Sequence, residues 1–164
     1  MKRESNKNAG EAGRCNCTAL RKASRRISLL YDTALGASGL KATQRTILAQ
    51  ILRSGPTWVG ALAEALVMDS GALAHTLKPL ERDGLVAIDV DPEDRRSRRV
   101  VLTPLGRKRL ALSDKLWENA QRGFETAFGR SDAEKLREAM RLLISDEFAA
   151  VFEKAVAISD DRSS

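Results

Sequence analysis

Only two stretches, residues 85–90 and 98–102, break the three-and-four spacing of apolar residues that otherwise runs through this chain. Two short strands cannot bury a core of their own, so the hairpin they form must lean on helices. The chain is therefore constrained to a mainly α fold with one small β-hairpin, α+β in class. An apolar content of 43% with only 4% aromatic residues suits helices packed with Leu, Ala, Ile and Val. A β-sandwich would show more regular strand and turn signals. With 164 residues the chain can enclose one ordinary core.

The helices follow from spacing and punctuation. Leu20, Ala23, Ile27, Leu30, Tyr31 and Ala34 make one apolar face over 18–35, and Gly36 and Gly39 end it. Thr43 is the expected N-cap of a second helix, with Ile47, Leu48, Ile51 and Leu52 inward and Gly55 as its stop. A turn at Gly55-Pro56-Thr57 leads to a short helix over 58–67, and another helix spans 70–83, closed by Gly84. Pro79 lies inside that helix, where a missing hydrogen bond should bend it or end its reading part near His75. After the hairpin, Thr103-Pro104 opens a long helix carrying Leu105, Leu112, Leu116, Trp117, Ala120, Phe124 and Phe128. Ser131-Asp132-Ala133-Glu134 reads as a capping box for a last helix through Phe152, and 159–164 as a loose polar tail.

Charge is unevenly spread. Residues 1–30 hold eight cations against two acids, while 57–103 hold six against eight. The overall +6 suggests a polyanionic partner, but any nucleic-acid contact within 57–103 must come from individually placed arginines. No apolar run approaches the ~20 residues needed to span a bilayer, and no signal segment follows the basic start, so a cytoplasmic location is expected. No nucleophile–base pair, phosphate loop or acid dyad can be placed, so neither an enzyme nor a cofactor is expected.

A short helix, a tight turn, a second helix and a basic hairpin form the winged helix-turn-helix order, in which the second helix enters the major groove. The run from Met68 to Val86 (MDSGALAHTLKPLERDGLV), the Asp94-Arg95-Arg96-Ser97 wing and the following Leu102-Thr103-x-x-Gly106 resemble the MarR family. The DSG start is like that of its OhrR branch. The resemblance implies a dimer with 17–56 and 104–158 as the dimerisation region, 57–103 as the winged domain, and 1–16 as a disordered tail. It implies double-stranded DNA with a pseudo-palindromic operator as partner, and Arg96 as the minor-groove arginine oriented by Asp94. On the reading helix, Ser70 and Gly71 lie at the N-terminus, Ala72, His75 and Thr76 are the groove-facing candidates, and Lys78 lies near the backbone. Arg98 and Arg99 point to opposite sides of a strand, so one of them faces phosphate. A pocket between the layers, with Tyr31 and Trp58 as lining candidates, would take a small aromatic ligand.

Cys15 and Cys17 admit three readings: inert thiols, a metal pair, or an oxidant sensor. No further Cys or closely spaced His completes a metal set. The resemblance places Cys17 at the reactive cysteine of OhrR-type sensors and Tyr31 at one of two tyrosines that hold the thiolate; the other position is Ala42. The second thiol would allow a disulfide, which requires the first helical turn to unwind. A helix N-terminus with Arg14 and Arg21 nearby would lower a thiol pKa. The function expected is a transcriptional regulator, a repressor released by oxidant or ligand; the competing expectation is a helical scaffolding protein that binds nucleic acid non-specifically.

Overall fold

The computed structural model describes residues 14–90 and 98–161; residues 1–13 of the tail expected over 1–16, and the wing tip with Asp94 and Arg96, lie outside them, while Cys15 and Asn16 cap and open the first helix. Helices α1 (Asn16–Leu35) and α2 (Ala42–Ser54) are joined by a 3-10 turn at Gly36–Ser38. Strand β1 (Thr57–Trp58) and helices α3 (Val59–Ala65) and α4 (Ser70–Arg82) follow. Strands β2 (Val86–Val90) and β3 (Arg98–Leu102) lead into α5 (Pro104–Phe128), α6 (Arg130–Leu143) and α7 (Asp146–Asp161). The expected class, mostly helical with a small antiparallel sheet, is the one observed.

The start of α2 differs from expectation. Thr43 lies inside the helix, and the cap residue is Lys41, which has no side-chain acceptor. A carboxylate and a carboxamide oxygen from other residues satisfy the open backbone donors instead. The Ala42 N–H donates to Asp32 Oδ1 at 2.6 Å and the Lys41 N–H to Gln44 Oε1 at 2.9 Å. Asp32 thus ties the end of α1 to the start of α2. On α2, Ile47, Leu48 and Ile51 are buried, whereas Leu52 sits at the edge of that stripe and is 46% exposed.

Those residues join Leu62, Leu73, Leu77, Leu80, Val86, Val100 and Leu110 in one core. The sheet has the order β1-β3-β2, all antiparallel. Its third strand was not anticipated: Thr57 and Trp58, expected as turn and helix, pair with Val100 and Arg99. A two-residue strand carries too little alternation to register as a pattern. Helix α4 runs unbroken through Pro79 to Arg82, so it does not end near His75.

The Leu102-Thr103-x-x-Gly106 motif acquires a physical reason. Thr103 Oγ1 donates to the Gly84 carbonyl at 2.6 Å and accepts from the Gly106 N–H at 2.9 Å. One hydroxyl therefore caps α5 and pins it to the exit of α4. A Cβ on Gly106 would meet the Leu85 carbonyl oxygen, so only glycine allows this approach.

The turn between α3 and α4 holds Val67 at φ 51°, a left-handed conformation that β-branched residues rarely adopt, with its side chain exposed. Val67→Asn is expected to relieve about 1 kcal/mol of strain and raise the melting temperature by about 2–4 °C. A thermal melt that does not move, or falls, contradicts this.

Residues 1–120 and 121–164 form two compact units. In the second, Gly129 at φ 91° precedes α6 without any side-chain cap, so the expected Ser131 capping box does not form. The last helix is also two helices. Ser145 Oγ donates to the Leu142 carbonyl at 2.8 Å and accepts from the Phe148 N–H at 3.2 Å, closing α6 and opening α7 with one side chain. Helix α7 then continues to Asp161, into the segment expected as a loose tail.

Candidate nucleic-acid interface

Helix α4 has one face committed to the core. Leu73, Leu77 and Leu80 are fully buried. Gly71, His75, Lys78 and Arg82 recur at four-, three- and four-residue steps on the opposite face, all exposed. Ser70 and Ala72 are also exposed; Thr76 is half-buried and spends its hydroxyl proton on the Ala72 carbonyl at 2.9 Å. The helix is started by Asp69, whose carboxylate accepts from the Ala72 N–H at 3.0 Å. A phosphate approaching Ser70 and Gly71 would meet that carboxylate, which weakens this end as an anion site. Arg82, paired with Asp83 at 2.9 Å yet 75% exposed along its side chain, was missed by the sequence reading. Its signal was available in the step of four from Lys78.

Beside α4 stands the wing. In the β2–β3 register Arg98 faces Val90 and Arg99 faces Asp89. Arg98 is exposed and Arg99 half-buried, so the two differ in the way their alternation implies. Between wing and helix lies a cleft of about 600 Å³, lined by Trp58, Leu77, Ile88, Lys78, Glu81 and Arg98 among others. Trp58 lines this cleft, which is not the pocket expected between the layers, and Tyr31, half-buried on α1, is not part of it.

Behind the interface, α2 is tied to α5. Arg45 donates through Nε to the buried Ser113 hydroxyl at 3.1 Å and pairs with Asp114 at 2.8 Å. Its guanidinium also lies 4.5 Å from the Trp117 ring centroid. Arg109 adds a hydrogen bond to the Ser38 carbonyl at 3.0 Å.

Both cysteines are free and exposed. Cys15 is the N-cap of α1, in extended conformation, and its Sγ accepts from the Thr18 N–H at 3.4 Å and from Thr18 Oγ1 at 3.3 Å. These bonds, the hydroxyl first, hold the Cys15 thiol below its ordinary range, and Arg21 adds a smaller electrostatic contribution in the same direction. Among the described residues, no three His, Cys, Asp or Glu side chains converge as a metal set, and no helix is long and apolar enough to cross a membrane.

The MarR family model matches residues 40–97, from the start of the core to the wing. The M. tuberculosis transcriptional regulator MosR, solved in complex with DNA, is 32% identical; the likeness covers 77% of this chain and 96% of MosR, with a TM-score of 0.66. The chain belongs to the MarR family. Another relative is the HTH-type transcriptional regulator YcgE of Bacillus subtilis (strain 168), 32% identical over 94 residues, 57% of this chain. The match spans 60% of YcgE's own length. The fold is also that of a mutant MarR from E. coli complexed with operator DNA, at 20% identity over 82% of this chain and 94% of that one, with a TM-score of 0.71. Within the MarR frame, α3 and α4 are the helix-turn-helix and β2–β3 the wing.

Proposed function

We propose that this chain is a DNA-binding transcriptional regulator, a repressor that works as a cytoplasmic homodimer. It leaves a pseudo-palindromic operator when a thiol is oxidised or a small ligand binds. The observation that carries the reading is the exposed Gly71-His75-Lys78-Arg82 stripe, rigidly backed by three buried leucines and flanked by a wing bearing Arg98. Such a helix fits the major groove, where base edges differ. Arg96, oriented by Asp94, enters the minor groove, while Ser70, Ala72, Thr76 and Arg99 complete the contact surface.

The dimer reading is supported by apolar faces left bare. Leu20, Leu29 and Leu30 on α1, and Val151, Phe152 and Val156 on α7, are all exposed. A folded monomer rarely leaves so many large apolar side chains in water. Residues 17–56 and 104–158 supply this dimerisation region, and 57–103 the winged domain. For a ligand, the Trp58 cleft offers an apolar floor with cationic rims and Tyr31 marks a second place; for an oxidant, Cys15 and Cys17 are the candidates, as in the OhrR-like branch.

Arg96→Ala tests the wing. At fixed salt, operator affinity is expected to fall by ~1–3 kcal/mol while the dimer persists. Unchanged affinity contradicts the assignment.

A further inference from the structure

The two thiols are not equivalent, and the difference gives an order of events. Cys15 lies outside α1 and its sulfur receives two hydrogen bonds from one residue, Thr18. Cys17 sits in the first helical turn, and its sulfur has no hydrogen-bond partner among the described residues. Both are exposed, so reagent access does not distinguish them. Stabilisation of the thiolate does. A hydroxyl and a backbone N–H aimed at one sulfur favour its anion, the form that attacks.

We propose that Cys15 is the thiol that attacks a hydroperoxide first, that Thr18 is its positioning residue, and that Cys17 resolves the product. This rests on the oxidant-release reading above and reverses the order implied by the OhrR resemblance, which puts the reactive role on Cys17. In the first step the Cys15 thiolate attacks one peroxide oxygen and the O–O bond breaks. The leaving alkoxide takes up a proton as alcohol, and Cys15, oxidised by two electrons, becomes a sulfenic acid. The Cys17 sulfur then attacks the Cys15 sulfur; an S–S bond forms, hydroxide leaves, and with the Cys17 proton it departs as water.

The structural consequence follows from what Cys15 does in the reduced protein. Its sulfur caps the Thr18 N–H, and its carbonyl accepts from the Ala19 N–H at 3.0 Å. A disulfide to Cys17 removes the cap and opens the turn holding Asn16 and Cys17. The remainder of α1, with its bare leucines, loses its fixed start. The switch thus acts on the segment proposed to face the second copy.

The test uses the full chain, cumene hydroperoxide and dimedone, which traps sulfenic acid, with adducts located by mass spectrometry. Cys17→Ser is expected to accumulate dimedone on Cys15, and Cys15→Ser to react at least about tenfold more slowly. Thr18→Val should slow Cys15 and move its pH–rate curve to higher pH, and Thr18→Ser should restore both. A Cys15→Ser variant that reacts as fast as Cys17→Ser overturns the assignment, as does a pH–rate curve that Thr18→Val leaves in place. Because no DNA enters this assay, its outcome is separate from that of the release reading. Trapping on Cys15 with DNA binding indifferent to oxidant would retain the order of thiols and reject release.

Discussion

Gly106→Ala is expected to cost the first unit roughly 3 kcal/mol or more and to lower its melting temperature by about 10 °C. The added Cβ would meet the Leu85 carbonyl oxygen far inside contact distance, and would press on Leu102 Cδ1 at 2.8 Å. Neither neighbour can yield cheaply, since the carbonyl is backbone at the exit of α4 and Leu102 is core. The helix start must move instead, and the Thr103 bonds to Gly84 and Gly106 stretch with it. Against a total stability of about 5–15 kcal/mol this is a large fraction. Gly60, where an added Cβ meets nothing within 4 Å, is the control. Gly60→Ala is expected to be neutral or to stabilise by about 0.5–1 kcal/mol. Equal effects of the two substitutions in urea denaturation would contradict the account of the motif.

Leu73→Ala should cost about 2–5 kcal/mol, because the site is fully enclosed and closes only partly over the cavity. Its functional consequence is the sharper test. Leu73 points away from the stripe that carries His75 and Lys78, so the folded fraction of Leu73→Ala should bind DNA as the parent does. Lys78→Ala should show the opposite pattern: unchanged stability, weaker binding and a salt dependence shallower by about one ion. A folded Leu73→Ala protein that loses specific binding would mean that the reading face had been assigned to the wrong side of α4.

The fold was legible wherever apolar spacing ran long enough to repeat. Helices α1, α2 and α4 appear within two residues of their expected limits, because each repeats its stripe for three turns or more. Strand β3 matches its expected range. The misses share a different cause: a few side chains acting at a distance or at a boundary. Asp32 caps a helix that begins ten residues later, which no local motif at Thr43 could reveal. Ser145 splits a continuous apolar pattern by closing one helix and opening the next, and Thr57–Trp58 becomes a strand only because Val100 and Arg99 offer it an edge.

For the interface, the family-like motifs pointed to α4 and the wing, and the structure places Ser70, Gly71, Ala72, His75, Lys78 and Arg98 on exposed surface there. Arg82 was missed although it stands four residues after Lys78 on the same exposed face, in the last turn of α4. The asymmetry of Cys15 and Cys17 was invisible in sequence. It depends on where the helix begins: a start at Thr18 would make Cys17 the cap, and the observed start two residues earlier gives that place to Cys15.

The most direct measurement is a titration and footprint of the reduced protein on the promoter DNA beside its own gene, repeated at several salt concentrations. The account predicts protection of a pseudo-palindrome whose half-sites lie about one helical turn, ~34 Å, apart, bound at least about a thousandfold more tightly than unrelated duplex. Equal affinity for promoter and unrelated DNA at every salt concentration would contradict it, and would leave a helical protein that binds nucleic acid through charge alone.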